Sequence, residues 1–396
     1  MLRVALLGFG VVGSGVAEVI TENQDQLCRM GKGGVRIVRI LDLREFPDSP
    51  FGPLVVHDFS AIVNDPEVDV VVEMMGGSHP AYEYTKAALE AGKHVVTSNK
   101  EVVANFGTEL LAVAAAHGVR YLFEASVGGG IPLLRPLAQD MAGNRVTGIC
   151  GILNGTTNYI LTRMKEAGIS FAAALAEAQE KGYAERDPSA DVDGKDTARK
   201  TVILAAVAGG GRVDPDRIPT KGIRDVSRED VAAAEALQCR IKLIGQVHWN
   251  ADGEPVAWVA PCFVPLRHPL AGVDDVFNGV LIHTDMLGDT MFYGRGAGKL
   301  PTAGAVVSDL LDLILHPYDS QTAPHWIDVT PAADDGAFPV ACLFFRRPVP
   351  ATLPEGAKSY SLPENGGTVV ILPGTSSEAA AHLTAAADQS YPVLRI

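Results

Sequence analysis

The sequence predicts an α/β protein with a doubly wound parallel sheet at its N-terminal end, an α+β domain after it and a small α/β appendage at the C-terminal end. Three observations predict this. Short apolar runs at 3–7, 35–41, 68–72, 94–97 and 120–124 alternate with stretches that can be helical, the pattern of a parallel sheet covered by helices on both faces. From about Pro132 to Gly294 that alternation gives way to a mixture of strands, helices and an acid-rich loop, as in an α+β domain. Residues 319–339 are rich in turn formers and acids, and read as a linker to the C-terminal appendage. The expected division is therefore 1–133 completed by 295–317, then 134–294, a linker at 318–340 and a small domain at 341–396.

The elements come in this order. Strand 3–7 runs into Gly8-Phe9-Gly10-Val11-Val12-Gly13-Ser14-Gly15 and then a helix reaching about Cys28. The second strand, 35–41, ends at Asp42, and the third, 68–72, at Glu73-Met74-Met75-Gly76-Gly77. Helices are expected at 60–63, 81–91 and 102–117, with strands at 94–97 and 120–124. The middle region has a strand at 145–153, helices at 171–181 and 195–208, and strands at 241–249 and 256–265. Apolar residues at helical spacing over 301–315 return the chain to the first domain. The tail offers strands at 341–346, 368–372 and 392–396 and a helix at 376–387.

Composition narrows the function. A chain of 396 residues with 47% hydrophobic and 20% charged residues has the make-up of a folded globular protein. With 33 basic against 47 acidic side chains the formal net charge is −14, which disfavours nucleic acid or anionic lipid as a partner. The five cysteines, Cys28, Cys150, Cys239, Cys262 and Cys342, are scattered, odd in number and never paired as CxxC. That fits reduced thiols in a cytoplasm better than disulfides or a zinc site. No apolar run is long enough to span a bilayer. The run from Val4 to Ala17 mimics the apolar part of a signal peptide, but its glycines serve another purpose and Glu18 comes directly after it.

The glycine turn is the first chemical signal. Gly8 permits the tight turn, Gly10 lets backbone approach a pyrophosphate, and Gly13 lets the helix pack on the strand, with helix N–H groups meeting the anion. A strand before and a helix after make this a Rossmann-type dinucleotide site rather than a mere turn. Asp42 is the candidate partner for the adenosine ribose hydroxyls, although it comes later than the usual ~20 residues after the motif; the alternative is a solvated acid at a strand end. Arg44 is close enough to pair with a 2′-phosphate instead.

Lys100, in Thr97-Ser98-Asn99-Lys100-Glu101, falls at the carboxyl end of the sheet, where such sheets bind ligands. It either contacts an oxygen near the nicotinamide or is an ordinary solvated lysine. Glu124-Ala125-Ser126-Val127-Gly128-Gly129-Gly130-Ile131-Pro132 is poor as helix and as strand. Its carbonyls with Glu124 suit a hard cation, and a plain hinge suits it equally. In the acid-rich stretch from Gly182 to Lys200, Asp196 and Lys200 share a helix face at i and i+4. They form a surface salt bridge, or, given the apolar run that begins at Val202, a buried pair poised for proton transfer. Asn154-Gly155-Thr156-Thr157-Asn158-Tyr159 supplies a helix cap or polar substrate contacts.

Taken together these residues resemble the homoserine dehydrogenase family. The matching stretches are GFGVVGSG, GKHVVTSNKEVVA from Gly92, EASVGGGIP, GILNGTTNYILT, GYAERDPSADVDGKDTARK from Gly182, HPLA from His268 and MFYGRGAG from Met291. The resemblance implies an enzyme that interconverts L-homoserine and L-aspartate 4-semialdehyde with NAD or NADP, as a homodimer. It implies Lys200 as the acid/base lysine, Lys100 near the reacting oxygen and cofactor, and Asp196 in support. Glu185 would hold the substrate ammonium with Asp191 beside it. Gly8, Gly10, Val11, Val12, Gly13, Asp42, Arg44, Met75, Gly76 and Gly298 would line the dinucleotide, and Glu124, Val127, Gly129 and Ile131 would hold a sodium ion, the last three through carbonyls.

Two departures from the family pattern matter. Many NADPH-using members carry an arginine just before the acid that ends the second strand, and here that place is Leu41, which points to NAD. Longer members end in an ACT-type regulatory domain. Here the tail is a degenerate ACT-like appendage in which Pro348 to Pro354 replace the first helix, which argues against feedback by threonine. Two other functions fit parts of the sequence. A dinucleotide-sensing binding protein would not need Lys100, Lys200 and Asp196. An acylating semialdehyde dehydrogenase would use Cys150, which falls inside an apolar strand where an inert thiol is expected.

Overall fold

The structure is a computed structural model that describes residues 1–30, 33–316, 318, 324–332, 340–345, 353, 357–361, 368–373, 387 and 389–394. The chain forms two compact units. The first comprises Met1–Asn144, Val202–Pro215 and Gly294–Val329, and the second Arg145–Thr201, Asp216–Tyr293 and Thr330–Ile396.

In the first unit, β1 (Leu2–Leu7), α1 (Val11–Glu22), α2 (Gln24–Met30), β2 (Val35–Leu41), β3 (Val55–Val56), α3 (Ser60–Val63), β4 (Val70–Glu73), α4 (Ala81–Glu90), β5 (His94–Thr97), α5 (Lys100–Ala116) and β6 (Tyr121–Leu122) succeed one another in chain order. The strands lie in the order β3-β2-β1-β4-β5-β6, and every pairing is parallel. This is the doubly wound order with its switch point between β1 and β4, so the loops after those strands flank a crevice at the carboxyl edge. Val4 to Leu7 and Val70 to Val72 are fully buried, because a strand covered by helices on both faces needs apolar residues at every position.

The second unit begins with β7 (Val146–Ile152), α6 (Gly155–Ala167), α7 (Phe171–Glu180) and α8 (Ser189–Val192). Next comes α9 (Lys195–Gly209), whose residues up to Thr201 belong to this unit and the rest to the first. The strand β8 (Gly211–Val213) belongs to the first unit. Then come α10 (Arg228–Ala236), β9 (Cys239–Trp249), β10 (Pro255–Pro265), β11 (Phe277–Thr284) and β12 (Gly288–Arg295). Together with β7 these strands form a sheet ordered β10-β9-β7-β11-β12, antiparallel at β10/β9, β9/β7 and β7/β11. Ser227 and Asp230 start α10 with a reciprocal capping box, which satisfies two otherwise orphaned N–H groups.

The first unit is completed by α11 (Lys299–Leu315), whose Ala303, Val306 and Leu310 join the core of β1, β2, β4 and α1. A Cβ on Gly15 would come within 2.9 Å of Lys299, so glycine there is what lets the two helices touch.

Four parts of the expected division differ from the structure. Val202–Pro215, expected within 134–294, belong to the first unit, where Arg212 donates to the Ala104 carbonyl of α5 at 2.8 Å. The first unit runs to Asn144 rather than 133, because Leu133, Leu134 and Leu137 are buried and Arg135 pairs with Asp309 of α11 at 2.5 Å. The expected linker contains β13 (Ile327–Val329), which pairs with β8 in parallel, and a buried Trp326 whose ring fills the gap left by Gly107 in α5. A glycine inside a helix costs about 1 kcal/mol, and here the indole occupies the space it leaves.

The tail strands β14 (Val340–Phe345), β15 (Lys358–Ser361), β16 (Thr368–Pro373) and β17 (Gln389–Pro392) form an antiparallel sheet ordered β15-β16-β14-β17. It is not a loosely attached appendage. Tyr391 is buried, stacks on Phe263 of β10 at 5.2 Å and donates its hydroxyl to Asp230 at 2.9 Å. The helix expected at 376–387 and the segment Pro348 to Pro354 lie almost wholly outside the described residues.

Candidate active site

The first unit carries a cradle for a dinucleotide. Gly8 has φ +90°, and a Cβ on it would lie 3.2 Å from the Met74 carbonyl; a Cβ on Gly13 would lie 2.1 Å from the Gly8 carbonyl. Both glycines are therefore demanded by the close approach of backbone. Gly10 and Gly76 have open space where a Cβ would project, and Gly10, Val11 and Gly76 are exposed while Val12 and Met75 are half-buried. No side chain caps α1 at Gly10, so its first N–H groups are available to a pyrophosphate. These features fit the expected cofactor.

At the adenosine end, the Asp42 carboxylate accepts the Phe9 N–H at 2.8 Å and pairs with Arg44 through Nε and NH2, both at 2.9 Å. The Arg44 guanidinium holds the Asp42 carboxyl well below the usual carboxylate range. Arg44 is exposed and lies over the Phe46 ring at 5.1 Å. Leu41 is buried in β2 and offers a phosphate nothing.

Lys100 is half-buried and is the first residue of α5, beside its cap Asn99, whose side chain accepts from Glu101 and Val102 N–H. Gly298, φ +132°, caps α11, and the preceding residues touch the glycine loop: Gly130 N–H donates to the Arg295 carbonyl, and a Cβ on Gly129 would lie 2.4 Å from the Gly296 carbonyl.

In that loop the Glu124 carboxylate is already employed. Its Oε1 accepts from Leu133 and Leu134 N–H at 2.6 and 2.8 Å, and Oε2 from Arg135 N–H at 2.7 Å. Oε2 keeps one acceptor position. With the carbonyls of Val127, Gly129 and Ile131, whose residues are buried, it would offer oxygen donors only, the kind hard cations take.

The second unit gathers the proton-transfer candidates. Lys200 and Asp196 stand one turn apart on α9 and are buried, so the pair is no surface salt bridge. Lys200 Nζ donates to Asp196 Oδ2 at 2.8 Å and to the Leu153 carbonyl at 2.7 Å. Asn154, at the end of β7, donates Nδ2 to Asp196 Oδ2 at 2.8 Å and to Asp191 Oδ1 at 2.7 Å, while its Oδ1 caps α6 through Thr157 N–H. Helix α9 reaches this position because Gly245 of β9 has no side chain: a Cβ there would lie 2.1 Å from Thr201 Oγ1. Asp191 is half-buried. Glu185 is exposed and is held through its carbonyl by Gln179 Nε2; among the described residues no hydrogen bond joins its carboxylate to the cluster.

Cys150 is buried in β7, and burial pushes its thiol up to about 12. At neutral pH it is therefore the inert thiol, not a nucleophile. Brief alkylation of the native protein is expected to leave its rate unchanged; a loss of activity that tracks labelling of Cys150 would contradict this.

Sequence reasoning anticipated Asn154 as a cap but not as the bridge between two carboxylates. It missed Glu73, Thr97 and Asn99 as a connected group. The visible signal was an acid closing an otherwise apolar strand, Val-Val-Val-Glu.

Residues 8–124 match the family model described as homoserine dehydrogenase, NAD binding domain, and residues 132–311 the model described as homoserine dehydrogenase. The homoserine dehydrogenase of Synechocystis sp. is 44% identical over 348 residues, 84% of this chain and 80% of its own. That of Bacillus subtilis is 42% identical, over 78% and 72%. Among solved structures, the homoserine dehydrogenase from Thiobacillus denitrificans gives a TM-score of 0.85 at 33% identity, over 99% of this chain and 98% of that one. A hyperthermophilic archaeal homoserine dehydrogenase in complex with NADPH gives 0.69 at 28%, over 79% and 98%. With the cradle and the buried lysine cluster lying inside the matched residues, the chain belongs to the homoserine dehydrogenase family.

Proposed function

We propose that this chain interconverts L-homoserine and L-aspartate 4-semialdehyde in the synthesis of threonine, methionine and isoleucine, with Lys200 as the group that moves the proton. The observation that carries the reading is the buried Lys200 Nζ, fixed between Asp196 and the Leu153 carbonyl. Oxidation removes a hydride from the alcohol carbon and a proton from its oxygen. The dinucleotide, when bound, supplies the hydride acceptor or donor. The Lys200 amine takes the hydroxyl proton in oxidation and its ammonium returns it in reduction, while Asp196, aligned by Asn154, keeps Nζ in place. Lys100 contacts the reacting oxygen; Glu185 and Asp191 hold the substrate ammonium. Steady-state oxidation of L-homoserine, measured with NAD and NADP in parallel, tests the reading, and absence of turnover with both would reject it.

NAD is the favoured cofactor. Asp42 repels a 2′-phosphate and accepts ribose hydroxyls, and Leu41 binds neither, whereas Arg44 is the nearby cation that can oppose this. Arg44→Ala is expected to cut kcat/KM for NADP roughly tenfold to a hundredfold, the worth of a charged hydrogen bond, with a much smaller effect for NAD. A tenfold better efficiency with NADP in the native enzyme would show that Arg44 prevails over Asp42. A sodium ion would be held by Glu124 and the carbonyls of Val127, Gly129 and Ile131, stiffening the loop beside the segment that leads to Gly298. The working form is a cytoplasmic homodimer; the scattered free cysteines support the compartment. Among the described residues no helix is long and apolar enough to cross a membrane.

A further inference from the structure

Glu73 is a fully buried acid at the end of β4, and it is surrounded by neutral hydrogen-bond donors. Its Oε1 accepts the Met75 N–H at 2.8 Å and the Asn99 amide at 3.4 Å, its Oε2 accepts the Thr97 hydroxyl at 2.7 Å, and the Gly76 N–H also donates to it. These partners belong to two different loops at the carboxyl edge of the sheet. Met75 and Gly76 come after β4, beside the Gly8 turn that Met74 touches. Thr97 and Asn99 lie at the end of β5 and lead directly into Lys100. The Thr97 hydroxyl oxygen in turn accepts the Asn99 N–H at 2.9 Å, and the Asn99 amide ties back to the Gly77 carbonyl at 2.7 Å while its Oδ1 caps α5.

We propose that Glu73 is a positioning residue which, through Thr97 and Asn99, locks the cofactor-side loop after β4 to the start of α5 and so sets the place of Lys100. The inference rests on the reading that Lys100 lies near the reacting oxygen and that Met75 and Gly76 line the dinucleotide. Glu73 touches neither substrate nor cofactor in this role. Burial pushes its carboxyl above the usual carboxylate range, yet each of these neighbours donates to it, so an amide in its place sets an NH2 against donors. A small error in the placement of a reacting group costs up to ~10²-fold in rate, which is the lever such a lock controls.

Thr97 offers the cleaner test, because valine keeps its volume in a fully buried position and removes only the hydroxyl. Thr97→Val is expected to lower kcat for homoserine oxidation at least tenfold while KM for the dinucleotide stays within about twofold, since Met75 and Gly76 remain bonded to Glu73. Thr97→Ser is expected to restore the rate. Glu73→Gln loosens both loops, and is expected to lower kcat and raise the dinucleotide KM several-fold. Lower melting temperatures with unchanged kcat and KM in Thr97→Val and Glu73→Gln would reduce Glu73 to a structural acid and overturn the proposal. If Glu73→Gln fails to fold, the Thr97 pair decides alone. Lys100→Ala, assayed in parallel, separates the two failures: a wild-type rate there rejects the reading of Lys100 and this inference with it, whereas an impaired Lys100→Ala beside a normal Thr97→Val rejects only the lock.

Discussion

Homoserine oxidation is expected to fall by ~10²–10⁴-fold in Lys200→Ala, the usual worth of a positioned acid/base group. The structure adds a cost to stability. Asp196 is buried, and the substitution breaks its ion pair with the ammonium 2.8 Å from Oδ2, a loss of about 3–5 kcal/mol for a buried pair. Against a total of ~5–15 kcal/mol, that is enough to confuse unfolding with loss of chemistry. Lys200→Met combined with Asp196→Asn removes both charges and keeps the volumes, so it is expected to melt closer to wild type while remaining inactive. Dinucleotide binding, which depends on residues of the first unit, is expected to persist in both variants, measured by quenching of intrinsic fluorescence. More than a tenth of wild-type turnover in the folded double variant would remove Lys200 from its role.

The parts of this protein that were legible in the sequence are those where local chemistry dictates the outcome. The cores of β1 and β4, Val4 to Leu7 and Val70 to Val72, and the glycine turn were readable, because a buried parallel strand demands a continuous apolar run and a pyrophosphate cradle demands glycines at fixed offsets. The Asp196/Lys200 pair was readable because helical spacing sets it. What stayed hidden depends on contacts distant in sequence. Nothing local about Trp326 says that it fills the space at Gly107, and nothing local about Tyr391 says that it stacks on Phe263. The strands β11 and β12 carry glycines and polar residues, and their sheet identity comes from pairing. Glu73 reads as the end of a strand until Thr97 and Asn99, more than twenty residues on, are seen to donate to it.

These distant contacts reverse what the polar stretch after residue 317 suggests about the tail. A chain that ends there keeps every residue assigned to chemistry, and as a bare linker its loss would be harmless. It loses Trp326, however, and truncating a buried tryptophan alone costs about 3–5 kcal/mol. It also loses Asp328, which binds Arg212 and the Thr108 hydroxyl, both at 2.6 Å. We therefore expect a chain ending at residue 317 to be largely insoluble or unfolded. A chain ending at residue 332 retains Trp326 and β13 and gives up the tail sheet instead. It uncovers Phe263 and leaves buried Asp230 without the Tyr391 hydroxyl, so it is expected to fold with a lowered melting temperature and a tendency to associate. Comparing solubility, melting temperature and homoserine oxidation of the two chains decides the matter. A soluble, fully active product ending at residue 317 would return the whole segment to the status of a linker. Equal damage in both chains would place the decisive contacts at Tyr391 rather than at Trp326, because only the tail sheet is missing from both.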